Sequence, residues 1–380
     1  MKSIGIITFQ RTIGNYGASL QCFALYEYLK RQGYNCEVID LLRKEHSNYK
    51  ESKRYYWPQK RRSFIRRLLS YVKWKIVLKL KKKVVRNNYS SIRIENFNNF
   101  NNRIKYSKQY QCIDNLYDDP PCYDIYLTGS DQVWNPTIGF YNEPYFLTFA
   151  PNGSRKVSYA SSIALPSLPY EYHELYRKWL SNYKNISVRE KEGKTIVQNL
   201  INKDVSVVLD PTFLLDISIW NELALTPTIE KRYLFVYTLM HNDPLIRYAI
   251  KKASEMGLEI ILAMSTPQNT TFDKKIIFAD NLGPLEWMGF IKEAEFVITD
   301  SFHGTAFSIM FGTPFYVYIS LASRGSRILN LLDTLSLSNH CLSSDFQEKG
   351  NMEFDYQKTL KILNIERRLS ESYLNIAING

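Results

Sequence analysis

His303 lies in the run Asp300-Ser301-Phe302-His303-Gly304-Thr305, directly after an apolar stretch at 294–299. An imidazole titrates near neutral pH and can serve a substrate as acid or base. Gly304 beside it allows a backbone or ligand to approach closely. Arg189 ends a second apolar run and precedes Glu190. Its guanidinium either grips a carboxylate or phosphate with two parallel hydrogen bonds or pairs with Glu190, Glu192 or Asp210. Asp131 ends a third run, beside Gln132 and Trp134. A carboxylate next to an indole suits a sugar: the carboxylate accepts hydroxyl protons and the ring covers the apolar face. The alternative is that Asp131 caps the next turn. The turn Gly14-Asn15-Tyr16-Gly17-Ala18 opens a helix, where free N–H groups and the helix dipole attract anions, or it is a tight turn only. Its glycine spacing is not the dinucleotide fingerprint.

These groups need a scaffold that collects strand ends. Ser3–Phe9, a helix over Ser19–Gln32 stopped by Gly33, and Cys36–Leu41 form a βαβ opening. Strands are expected at Asp124–Thr128, Lys156–Ser162, Asn185–Val188 and Val205–Leu209, with a helix over Tyr170–Tyr183. Asp210-Pro211 marks a break, because a residue before proline is pushed out of the helical region. The pattern then restarts with strands Tyr233–Leu239, Glu259–Ala263, Glu295–Thr299 and Pro314–Ile319, and helices Pro244–Glu255, Pro284–Glu293 and Ala306–Phe311. Two such sets predict an α/β protein of two Rossmann-like doubly wound domains, about 1–213 and 230–380, with a cleft between them. A chain of 380 residues fits two cores.

Charge is unevenly spread. Of the net +12, the segment from Lys50 to Arg93 carries +15, leaving the remainder near −3. Within it Ile65, Leu68, Leu69, Val72, Ile76, Leu80 and Val84 recur at helical steps among lysines and arginines. This predicts a cationic amphipathic helix in an insert at about 50–93. It suits an anionic membrane surface, or its apolar stripe packs on the domain. No nucleic-acid-binding motif accompanies the charge, so a nucleic-acid partner is not expected. The five cysteines (Cys22, Cys36, Cys112, Cys122, Cys341) form no metal-binding pair and a poor disulfide framework, as expected of reduced thiols in the cytoplasm. The five histidines are scattered, so no metal site is expected. Met1–Phe9 reads as a first strand rather than a signal peptide, and no run is long and apolar enough to span a membrane.

Taken in order, five motifs resemble the polysaccharide pyruvyl transferase family. They are Gly14-Asn15-Tyr16-Gly17-Ala18 with Leu20-Gln21; Gly129-Ser130-Asp131-Gln132-Val133-Trp134-Asn135; Ser187-Val188-Arg189-Glu190; Asp210-Pro211-Thr212; and Thr299-Asp300-Ser301-Phe302-His303-Gly304. The resemblance spans Gly5 to about Phe315 and leaves out the basic insert. It implies a GT-B-like fold, phosphoenolpyruvate as donor rather than a bound cofactor, and a sugar acceptor in a surface polysaccharide or its lipid-linked precursor. The implied product is a cyclic pyruvate ketal, formed in the cytoplasm or peripherally at the inner membrane face. Arg189 and His303 fall on the family's donor-site positions. Many members carry an arginine two places before the histidine; here it is Ser301, so another cation, Arg324 or Arg327, is needed.

On this reading His303 is the acid or base, Asp131 orients or deprotonates the acceptor, and Arg189 holds donor carboxylate or phosphate. Asn15, Tyr16, Gly17, Gln132, Trp134, Ser301, Gly304 and Arg324 are expected to line the substrate sites. A nucleotide-sugar glycosyltransferase is the chief rival, because a fold does not fix its chemistry. A membrane-surface scaffold that recruits polysaccharide enzymes is a third reading.

Overall fold

Strands buried on both faces of a parallel sheet read as continuous apolar runs, and the strand cores here are such runs. The computed structural model describes residues 2–44, 46, 48–52, 89–138, 142–266, 276–319, 322–350 and 354–380. The expected amphipathic helix at 65–84 lies outside the described residues. The N-terminal lobe holds β1 (Ser3–Ile7), β2 (Asn35–Leu41), β3 (Tyr106–Tyr110), β4 (Ile125–Thr128) and β5 (Arg155–Ser158) in the all-parallel order β3-β2-β1-β4-β5. A small pair, β6 (Ile186–Val188) and β7 (Val205–Val207), adjoins β5 through parallel bridges. The C-terminal lobe repeats the order with β8 (Tyr233–Thr238), β9 (Glu259–Met264), β10 (Ile276–Phe278), β11 (Phe296–Thr299) and β12 (Phe315–Val317), arranged β10-β9-β8-β11-β12.

In both sheets the strand order reverses beside the first strand of the lobe. Ligands of open α/β sheets bind at such switch points. Asp131 follows β4 and His303 follows β11, so each occupies the same station of its own lobe. The edge strands β3 and β10 have exposed residues and no long apolar run, so sequence spacing misses them.

The helix Tyr16–Arg31 ties the lobes together. Its Tyr16 ring stacks on Trp287 at 5.1 Å, meets Tyr237 edge-on at 5.5 Å, and its hydroxyl donates to the Leu282 carbonyl. One apolar core therefore runs from Ile4 through Tyr16 to Trp287 and Phe307. The helix Tyr356–Asn379 returns to the first lobe. Arg155 Nε donates to the Ala377 carbonyl and Lys2 Nζ to the Ile378 carbonyl. Among the described residues no helix is long and apolar enough to cross a membrane.

Candidate active site

Asp131 is reached by a loop that Gln21 holds. Gln21 Nε2 donates to Thr8 Oγ1 and the Phe9 carbonyl, and its Oε1 accepts from the Ser130 N–H. Asp131 sits in the left-handed region at φ 69. That conformation is uncommon outside glycine and concentrates at functional sites. Its Oδ1 accepts from the Gln132 N–H at 2.8 Å and faces Arg189 Nη2 at 3.4 Å. Asp131 thus caps its turn and also meets the candidate donor-site arginine.

Asp210 is the hub. Its Oδ2 accepts from Arg189 Nη1 at 2.6 Å and from Ser130 Oγ at 3.0 Å. Its Oδ1 accepts from the Thr212 N–H and Thr212 Oγ1, and lies 3.8 Å from His303 Nε2. Burial alone would raise this carboxyl, but His303 and Arg189 outweigh it and hold it well below the ordinary carboxylate range. Burial alone would lower Arg189, but Asp210 and Asp131 outweigh it and raise the guanidinium. The ion-pair reading of Arg189 therefore holds for Asp210. Glu190 instead accepts from the Ile163 and Ala164 N–H groups.

His303 comes from the helix Phe302–Phe311, which begins where Ser301 Oγ accepts from the Gly304 N–H. That cap starts the helix earlier than the apolar spacing alone implies. The imidazole packs on Gly17, where a Cβ would stand 2.0 Å from Nδ1. Phe302 covers the Arg189 guanidinium at 4.6 Å. Arg189 and His303 therefore converge from opposite lobes on one carboxylate, and both are nearly covered, at 5% and 7% exposure.

The other expected lining residues fall in different settings, and burial corrects the readings of Trp134 and Tyr16. Trp134 is fully buried, stacked on Phe146, with Nε1 donating to the Tyr145 carbonyl. Its ring is a core element and cannot cover a sugar. Tyr16 is equally buried and ties the lobes rather than lining a substrate site. Gly304 is a packing position, since a Cβ there would meet Thr299 Oγ1 at 2.5 Å. Asn15 caps its helix through the Ala18 N–H. Gln132 Oε1 accepts from Asn135 Nδ2. Arg93, counted with the basic insert, is buried and donates to the Met264 and Ser265 carbonyls, so it offers no charge to a membrane. The Arg324 side chain lies outside the described residues.

Arg327, one of the two cations named above to replace the arginine absent at Ser301, is brought in by docking rather than by a motif. The helix Ala322–Thr334 of the second lobe docks on the helix Lys191–Ile201 of the first. Asn330 Oδ1 accepts from the Lys191 N–H, Asn330 Nδ2 donates to Glu192, and Lys191 pairs with Asp333 at 2.9 Å. This docking brings Arg327 Nη1 to 4.0 Å from Asp131 Oδ1.

The polysaccharide pyruvyl transferase family model matches residues 15–320 of the chain. The chain belongs to this family. It is a transferase with a role in polysaccharide pyruvylation. No curated protein matches it. Solved structures similar to it include Methanocaldococcus jannaschii UDP-GlcNAc 2-epimerase in complex with UDP-GlcNAc and UDP, at 12% identity and TM-score 0.50, covering 100% of this chain and 99% of that chain. A second structure of that epimerase is 11% identical at TM-score 0.50, with 100% of both chains covered. Acinetobacter baumannii MurG is 9% identical at TM-score 0.44, again with 100% of both chains covered. The epimerase likeness shows the fold, which is GT-B-like. Within the pyruvyl transferase family match fall Asp131, Arg189, Asp210 and His303; Arg327 lies beyond it.

Proposed function

We propose that this pyruvyl transferase moves the enolpyruvyl group of phosphoenolpyruvate onto two hydroxyls of a sugar, giving a cyclic pyruvate ketal and phosphate. The observation that carries the reading is the convergence of Arg189 and His303 on Asp210 between the lobes. The donor is a carboxylate and a phosphate on one small frame. It needs fixed cations, a proton for its methylene carbon, and a base for the attacking hydroxyl.

Arg189 holds one oxyanion of the donor. His303 delivers a proton to the methylene carbon, and the adjacent carbon becomes electrophilic. A sugar hydroxyl attacks that carbon, the bond to phosphate breaks, and a second hydroxyl closes the ring. One hydroxyl proton replaces the one given to the methyl group and the other leaves with phosphate, so the step balances. Asp210, held ionised, faces His303 Nε2 and orients the ring. Asp131 orients or deprotonates the acceptor. Because Arg189 and His303 are nearly covered, substrate entry requires the contacts around them to open locally, and closure then excludes water.

The acceptor sits in a polysaccharide or its lipid-linked precursor at the cytoplasmic membrane face, with the basic insert, Arg93 excepted, contacting anionic lipid. Binding to the native state raises the melting temperature, so a thermal shift separates the donor readings. Stabilisation by phosphoenolpyruvate is expected. Stabilisation only by a nucleotide or nucleotide sugar makes the protein a glycosyltransferase.

A further inference from the structure

Arg327 has no motif around it, and Ser301 supplies a helix cap where a cation is expected. Arg327 is 7% exposed. Its nearest acid is Asp131, at 4.0 Å, and that carboxylate oxygen is shared with Arg189 at 3.4 Å. Both distances exceed those of a well-formed guanidinium–carboxylate pair. Burial and the neighbouring Arg189 push Arg327 down to about 10, so it remains charged at neutral pH in an unfavourable setting. Among the described residues, Arg327 Nε and Arg189 Nε are both buried without a hydrogen-bond partner. Unpaired buried donors are costly, and proteins keep few of them. Both guanidinium groups flank the same Asp131 oxygen, so a small anion with several acceptor oxygens taking that oxygen's place would meet both.

Resting on the phosphoenolpyruvate reading above, we propose that Arg327 is the second guanidinium of the donor site, gripping a donor oxyanion beside Arg189. Asp131 is the counter-ion shared by the two arginines until the donor displaces it. The docking of Asn330 on Lys191 and Glu192 sets the arginine's reach, so the second lobe completes the site only when the two helices are seated. Displacement also frees the Asp131 carboxylate for the acceptor, which couples donor binding to base availability.

The test titrates the full chain calorimetrically with phosphoenolpyruvate, inorganic phosphate and pyruvate, using wild type, Arg327→Gln, Arg327→Lys and Asp131→Asn, with thermal unfolding recorded for each. Arg327→Gln is expected to weaken phosphoenolpyruvate binding about 10- to 100-fold and to raise KM more than it lowers kcat. Arg327→Lys recovers only part, because it keeps the charge and loses the fork. Loss on the phosphate arm assigns Arg327 to the phosphate end of the donor; loss on the pyruvate arm assigns it to the carboxylate end. Asp131→Asn is expected to bind phosphoenolpyruvate at least as tightly as wild type while losing turnover; weaker binding overturns the counter-ion role. Unchanged phosphoenolpyruvate affinity in folded Arg327→Gln overturns the assignment and leaves pyruvyl transfer by wild type standing. If the glutamine variant does not fold, unchanged affinity in Arg327→Lys overturns it equally. A wild type that neither binds nor consumes phosphoenolpyruvate overturns both readings.

Discussion

Gly17 and His303 come from different lobes, yet a Cβ on residue 17 would stand 2.0 Å from the imidazole Nδ1. The absent side chain is the seat of the ring. Gly17→Ala must therefore displace His303 or lift the helix Tyr16–Arg31. Pyruvyl transfer is expected to fall at least about tenfold, with a stability loss of about 1–3 kcal/mol from overpacking. Steady-state rates and thermal melts on the same preparation check this. Full activity in the alanine variant would detach the position of His303 from the reaction.

His303 is expected to carry proton transfer. Replacement by glutamine keeps most of the volume and removes the titrating group. Turnover should drop about 10²–10⁴-fold, the usual worth of a positioned acid or base, while phosphoenolpyruvate affinity changes little. Near-normal turnover in His303→Ala would rule the role out.

Asp210 links acid sensitivity to the site. Its carboxyl is held below the ordinary value, against the effect of burial, by His303 and Arg189. A depressed carboxyl contributes stability that is complete above the unfolded value, about 4, and is lost as pH falls through the lower folded value. Wild-type stability should therefore decline on the acid side, below about pH 4–5. Asp210→Asn should show less of that decline and cost about 3–5 kcal/mol at pH 7, since it strands a buried arginine. Denaturant melts at pH 7 and in steps from about pH 5 down to about pH 2, below the unfolded carboxyl value, measure both. Equal acid slopes in the two proteins would remove Asp210 from the acid response.

Trp134 separates packing from recognition. The ring is stacked on Phe146 and meets Tyr183 edge-on. Trp134→Ala should cost about 3–5 kcal/mol. Trp134→Phe should be milder and leave the acceptor KM unchanged. A raised acceptor KM in a stable phenylalanine variant would restore the sugar-facing role.

The positions Asp131, Arg189 and His303 are legible in sequence because each follows an apolar run, and parallel sheets deliver such strand ends to one edge. The hub at Asp210 is harder to read. Asp-Pro-Thr looks like a helix break, and nothing local tells that Ser130, Arg189 and His303 will meet its carboxylate. Arg327 lies in a helix with no distinctive neighbours, so its role depends on docking that only tertiary structure fixes. Trp134 misleads for a related reason: an indole beside an aspartate looks like a sugar platform, but a chain that turns sharply at Asp131 sends the next large side chain into the core. The sharing of Tyr16 between lobes is likewise invisible along the chain, because its partners Tyr237 and Trp287 lie in the other half.

Phosphorus NMR of the full chain with phosphoenolpyruvate and candidate glycan acceptors, followed by mass spectrometry of the glycan, tests pyruvyl transfer most directly. The expected result is acceptor-dependent conversion of phosphoenolpyruvate to inorganic phosphate. One pyruvate ketal should appear on the glycan per phosphate released, and both signals should be absent in Arg189→Gln and His303→Gln. Phosphoenolpyruvate left intact with every acceptor, alongside consumption of a nucleotide sugar by the same protein, would contradict it.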